Sequence, residues 1–127
     1  MQVDVDKYSG RPIAADAYPV LAAFREAGAR PFHEYTVQEV RELYVTSCEG
    51  APLDEENPPE HTDFDLEKFG VRLYEPRGVE NRGTPTPAVL FLHGGGWVMG
   101  NLRTHHSAAR RIAARTGLPV LAVDYRL

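Results

Sequence analysis

A single cysteine, Cys48, excludes a disulfide within the chain and fits a reducing compartment. No apolar run approaches the ~20 residues that a membrane-spanning helix needs. Met1 to Arg11 is polar and has no signal-peptide core, so the expected location is cytoplasmic. Positive charge is also scarce. With 14 Lys and Arg against 18 Asp and Glu, the net charge is −4, which removes the electrostatic basis for binding nucleic acid or a membrane surface. There is no Gly-Lys-Ser/Thr, so a P-loop is excluded. His105 and His106 are adjacent and diverge by about 100° on a helix, so they do not share a metal, and no metal site is expected. Internal repeats and low-complexity tracts are absent.

What is present centres on His93-Gly94-Gly95-Gly96-Trp97. The preceding run, Pro87 to Leu92, is too short for an ordinary helix and rich in branched and aromatic residues, which predicts a buried strand. The glycines therefore sit at a strand's carboxyl end, where open α/β sheets bind ligands. Three residues without Cβ let backbone N–H groups approach a ligand closely, and such a cluster favours developing negative charge.

After the glycines, His105, Ala108, Ala109, Ile112, Ala113 and Thr116 form one stripe of a helix from about Thr104 to Thr116. Gly117 and Pro119 stop it. Leu118 to Val123 is a second apolar strand, and a right-handed crossover makes the two strands parallel. Upstream, Asp16 to Ala27 has helical spacing at Val20, Leu21, Ala23, Phe24 and Ala27, with Asp16 as N-cap and Gly28 just beyond the end. Thr36-x-x-Glu39 forms a capping box for a second helix running to about Cys48, with Val37, Val40, Leu43 and Tyr44 on its apolar face and Gly50 as its stop. Ala51 to Glu60 is an acidic, proline-rich linker. Thr62 to Leu66 and Gly70 to Tyr74 form an antiparallel pair, and Arg77 to Pro87 is a loop.

His93 to Gly100, then Thr104-His105, then Val120 to Leu127 resemble the hormone-sensitive-lipase-like (HGGG) esterases of the α/β-hydrolase superfamily. Gly70 to Pro76 resembles that family's segment before the motif. The resemblance implies an α/β fold, the amino-terminal part of an α/β-hydrolase: cap helices, an opening antiparallel β pair and a parallel βαβ unit. The expected organisation is a helical cap region over 1–50, a linker over 51–61 and an incomplete hydrolase core over 62–127. In the family, Gly94 and Gly95 would supply N–H groups to the oxyanion of a carboxylic ester, and Gly96 would permit the turn. Trp97 would line the substrate pocket or pack beneath the loop. His93 would brace the loop, and Asp124, Tyr125 and Arg126 would support the floor of the site. No cofactor is implied.

One departure alters the expectation. Ser9, Ser47 and Ser107 are the serines, and none stands in a Gly-x-Ser-x-Gly elbow. The nucleophile, acid and catalytic histidine of the family would lie downstream, so this chain alone is expected to be inactive. It is also expected to need a partner segment, either a carboxyl-terminal part or another chain, to complete its sheet. Two alternatives stand beside this reading. One is a noncatalytic small-molecule binder on the same scaffold. The other is a dinucleotide-binding βαβ unit, suggested by Gly94-x-Gly96-x-x-x-Gly100 and the strand-end Asp124, but Trp97 stands where a pyrophosphate would meet the helix.

Overall fold

The computed structural model describes residues 12–28, 30–49, 58–78 and 85–127. Most of the amino-terminal arm, Gly50, most of the acidic linker and the middle of the 77–87 loop lie outside the described residues. The chain divides into two compact units, 1–35 and 36–127.

The first unit contains α1, Tyr18–Glu26, entered through a 3-10 turn at Ala15–Ala17. Asp16 lies inside that turn and does not cap the helix, contrary to expectation. With Asp16 as N-cap, Pro19 would stand at the third helical position, where it offers no N–H for the carboxylate to accept. The Ala17 N–H reaches Ala14 instead, at 3.0 Å. Gly28, at φ 72°, takes the left-handed conformation that ends the helix. A second 3-10 turn, Phe32–Glu34, follows. The Tyr35 hydroxyl accepts the Arg30 N–H at 2.9 Å, and the Arg30 guanidinium lies 4.3 Å from the Tyr35 ring centroid. Val20 and Phe24 are exposed and, with Pro19, Ala23 and Ala27, line a shallow apolar groove along α1.

In the second unit, α2 spans Val37–Glu49. Its capping box forms as expected: the Thr36 hydroxyl accepts the Glu39 N–H at 3.2 Å, and the Glu39 carboxylate accepts the Thr36 N–H at 2.7 Å. The buried face is narrower than expected, because Val40 is buried while Val37 and Leu43 are exposed.

Four strands form one sheet: β1 Glu60–Asp65, β2 Gly70–Glu75, β3 Val89–Leu92 and β4 Val120–Asp124. Their spatial order is β1-β2-β4-β3. The β1/β2 and β2/β4 pairs are antiparallel, and β3/β4 is parallel. α3, His106–Thr116, makes the crossover between β3 and β4 and ends at Gly117, whose φ is 67° and whose N–H reaches Ala113 at 3.0 Å.

Alternation gives the sheet two unlike faces. On one, Tyr74, Val120 and Ala122 are buried beneath Ala109 and Ala113 of α3, with Val89, Phe91, Leu102 and Ile112 around them. The two alanines bring helix and sheet close together. On the other face, Leu90 and Leu92 are 62% and 61% exposed. The strand read as buried is covered by α3 on one face, and among the described residues no element covers these two leucines on the other. The expected helix stripe is corrected, since Ala108 and Thr116 are exposed while His106 turns inward.

Candidate active site

β3 ends at Leu92, and the chain breaks from the sheet into a loop of short-range turns before α3. Val98 and Met99 both donate their N–H groups to the Gly95 carbonyl, at 3.1 and 3.0 Å, which folds 95–99 into a tight turn. Gly95 adopts φ 146° and Gly96 φ 60°, and a Cβ at Gly95 would collide with the Met99 carbonyl. Only glycine fits position 95. Gly94 differs: its φ is not positive, and a Cβ there would meet open space.

Among the described residues, the N–H groups of Gly94, Gly95 and Gly96 have no hydrogen-bond acceptor. Two adjacent carbonyls are occupied by side chains. The Tyr125 hydroxyl donates to the His93 carbonyl, and His93 Nδ1 donates to the Gly94 carbonyl at 2.9 Å. His93 is only 4% exposed and stacks on Tyr125, with centroids 4.3 Å apart and planes 12° apart. Its Nε2 is buried without a partner among the described residues.

Trp97 is 93% exposed and holds φ 61°, a left-handed conformation that costs a bulky residue about 1 kcal/mol or more. At that exposure it does not pack beneath the loop. Asp124 pairs in register with Gly70 at the end of β4. The side chains of Asp124 and Arg126 make no hydrogen bond or ion pair among the described residues, whereas that of Tyr125 between them does.

Several contacts around the loop were not legible in the sequence. α2 reaches it through Arg41, whose Nε donates to the Val98 carbonyl at 2.8 Å. Arg103, just before α3, pairs with Glu49 at the end of α2, Nε to Oε1 at 2.8 Å. His105 sits among the rings of Phe91, His93 and Tyr44, at centroid distances of 6.0, 5.4 and 6.2 Å. Burial, then the nearby His93, pushes the His105 pKa down. Asn101 caps the turn into α3, its side-chain oxygen accepting the N–H groups of Arg103 and Thr104 at 2.9 Å each.

A second polar cluster lies under the first turn of α3. The Arg72 guanidinium binds both oxygens of Asp63, at 2.6 and 2.7 Å, which lowers the Asp63 pKa. His106 completes the cluster. The helix stripe read through His105 leaves His106 outside it, but the ring is half-buried, and its Nδ1 meets the Tyr74 hydroxyl at 3.0 Å and Arg72 at 3.3 Å. The alternation of β2 places Arg72 and Tyr74 on the same face, and that was the available signal. Among the described residues, no group of three or more His, Cys, Asp or Glu is placed to hold a metal ion. No described helix is long and apolar enough to cross a membrane.

Comparison with known proteins agrees with this architecture. A family model described as the α/β-hydrolase fold matches residues 89–127. The ethyl acetate hydrolase of Pseudomonas putida is 32% identical over 122 residues, covering 91% of this chain and 38% of that enzyme. An ester hydrolase from the metagenome of Lake Arreo superposes with a TM-score of 0.71 at 29% identity, over 91% of this chain and 38% of that one. An esterase from the bacterial hormone-sensitive lipase family gives a TM-score of 0.66 at 30% identity, over 91% and 36%. The chain has part of an α/β-hydrolase fold and is similar to hormone-sensitive-lipase-like esterases. It spans under two fifths of the length of each of these three relatives.

Proposed function

We propose that these residues supply the oxyanion-binding segment of a serine hydrolase acting on small carboxylic esters. The observation that carries this reading is the pair of unengaged N–H groups on Gly94 and Gly95 at the carboxyl end of β3, in a loop whose carbonyls are tied from behind. Preformed donors of this kind stabilise charge as it develops on a carbonyl oxygen, and each contributes on the order of 10²–10³ in kcat. The names of relatives, among them an ethyl acetate hydrolase, support an ester as the substrate class.

In this reading Gly96 permits the turn and the exposed Trp97 borders the substrate's path. His93 and Tyr125 brace the loop, with Asp124 and Arg126 flanking the floor. A serine outside these 127 residues attacks the ester carbonyl, activated by a histidine that an acid orients. Ser47 donates its hydroxyl to the Tyr44 carbonyl within α2 at 2.9 Å, and Ser107 lies in α3 outside any elbow, so neither serves as nucleophile. The 127 residues alone are inactive, and they act with a carboxyl-terminal segment or a second chain that covers Leu90 and Leu92. Residues 1–50 form a cap, 51–61 a linker and 62–127 the body, in a cytoplasmic protein.

Intact mass after treatment with a fluorophosphonate tests this. A labelled second polypeptide accompanying an unlabelled 14.1 kDa chain is the expected result for a complemented enzyme. Label on the 14.1 kDa chain itself would contradict it. Saturable ligand binding with no labelled species would favour a noncatalytic binder.

A further inference from the structure

In a trans peptide unit the carbonyl and the following N–H point to opposite sides. Each of the two amides that would receive the oxyanion belongs to a unit whose carbonyl is held by a side chain. The Tyr125 hydroxyl donates to the carbonyl of His93, so the N–H of Gly94 is turned away from Tyr125. His93 Nδ1 donates to the carbonyl of Gly94 at 2.9 Å, so the N–H of Gly95 is turned away from the imidazole. The two rings are stacked, so both amides point off the same support.

Gly100 fits the same device. A Cβ at that position would collide with the Gly94 carbonyl oxygen and with His93 Nδ1, the two atoms that form the bond. The glycine leaves the space in which the imidazole reaches the carbonyl.

We propose that Tyr125 and His93 are positioning residues that set the directions of the Gly94 and Gly95 N–H groups, and that Gly100 is bare to admit the His93 bond. This rests on reading those amides as oxyanion donors. The arrangement demands one tautomer of His93. A carbonyl oxygen only accepts, so Nδ1 carries the proton and the buried Nε2 carries the lone pair. The other tautomer would set a lone pair against the Gly94 oxygen and free that peptide unit to rotate.

The test uses the chain together with the segment that supplies its serine, labelled with 15N. Long-range proton–nitrogen spectra are expected to show His93 as the Nδ1–H tautomer. Tyr125→Phe keeps the ring stack and removes one donor, and it is expected to lower kcat about 10-fold with KM within about twofold. Gly100→Ala is expected to displace His93 and lose the single Nδ1–H tautomer. An Nε2–H tautomer in the parent protein overturns the proposal, as does an unchanged kcat in Tyr125→Phe. If the parent protein hydrolyses no ester, the proposed function fails, and the tautomer still decides whether the clamp exists.

Discussion

The Tyr74 hydroxyl donates to Nδ1 of His106 across 3.0 Å, tying β2 to the first turn of α3. Arg72 meets the same nitrogen at 3.3 Å. A guanidinium only donates, so this nitrogen keeps its lone pair and His106 is neutral with its proton on Nε2. Its pKa lies below the ordinary histidine value, first through burial, then through the charges of Arg72, His61 and Arg110, with Asp63 opposing them.

Acid should therefore loosen the attachment of α3. In the unfolded chain His105 and His106 protonate near the ordinary value of about 6.5, whereas in the fold both resist protonation until lower pH. The unfolded state binds more protons in that window, so stability falls as pH drops from about 7 towards 5. Urea midpoints across that range are expected to decrease, and His106→Gln is expected to flatten the decrease. A midpoint that holds or rises on acidification would contradict the burial of neutral His106.

Packing between α3 and the sheet leaves no room for larger side chains at the two buried alanines. Ala113→Leu should destabilise the fold by roughly 1–3 kcal/mol through overpacking against the Tyr74 and Val120 layer. Thermal or urea unfolding reads this directly. A neutral outcome would mean that the helix stands off the sheet.

The opposite face of β3 should behave like a surface in this chain. Replacing Leu90 and Leu92 together by threonine is expected to leave the unfolding midpoint close to the parent's and to reduce concentration-dependent self-association in sedimentation velocity. A drop of the size seen for a truncated core would show that the two leucines are covered.

Local chemistry made much of this fold legible. Thr36 and Glu39 announced α2, because their reciprocal bonds depend only on a three-residue spacing. Gly117 announced the end of α3, and apolar strands on either side of that helix implied the parallel β3/β4 pair. The comparisons support the family and the esterase class, while the roles of Gly94, Gly95 and their supports rest on geometry. What sequence could not supply depends on partners distant in the chain. His106, Ala109 and Ala113 follow helical spacing as well as the stripe through His105 and Ala108 does, and only the position of Tyr74 selects between them. Burial of Leu90 depends on what covers the sheet, which no residue of β3 encodes. Gly100 was visible within the motif, yet its cause, the His93 bond to Gly94, appears only in three dimensions.

Gly94 offers the most direct measurement of the central claim, because its backbone leaves open space for a Cβ. Gly94→Ala keeps the N–H and Gly94→Pro removes it, so the pair separates the donor from the side chain. Steady-state hydrolysis of a short-chain ester by the complemented protein should show near-parental kcat for alanine. For proline the fall should be on the order of 10²-fold or more. Equal kcat in both variants and the parent would remove Gly94 from the oxyanion site.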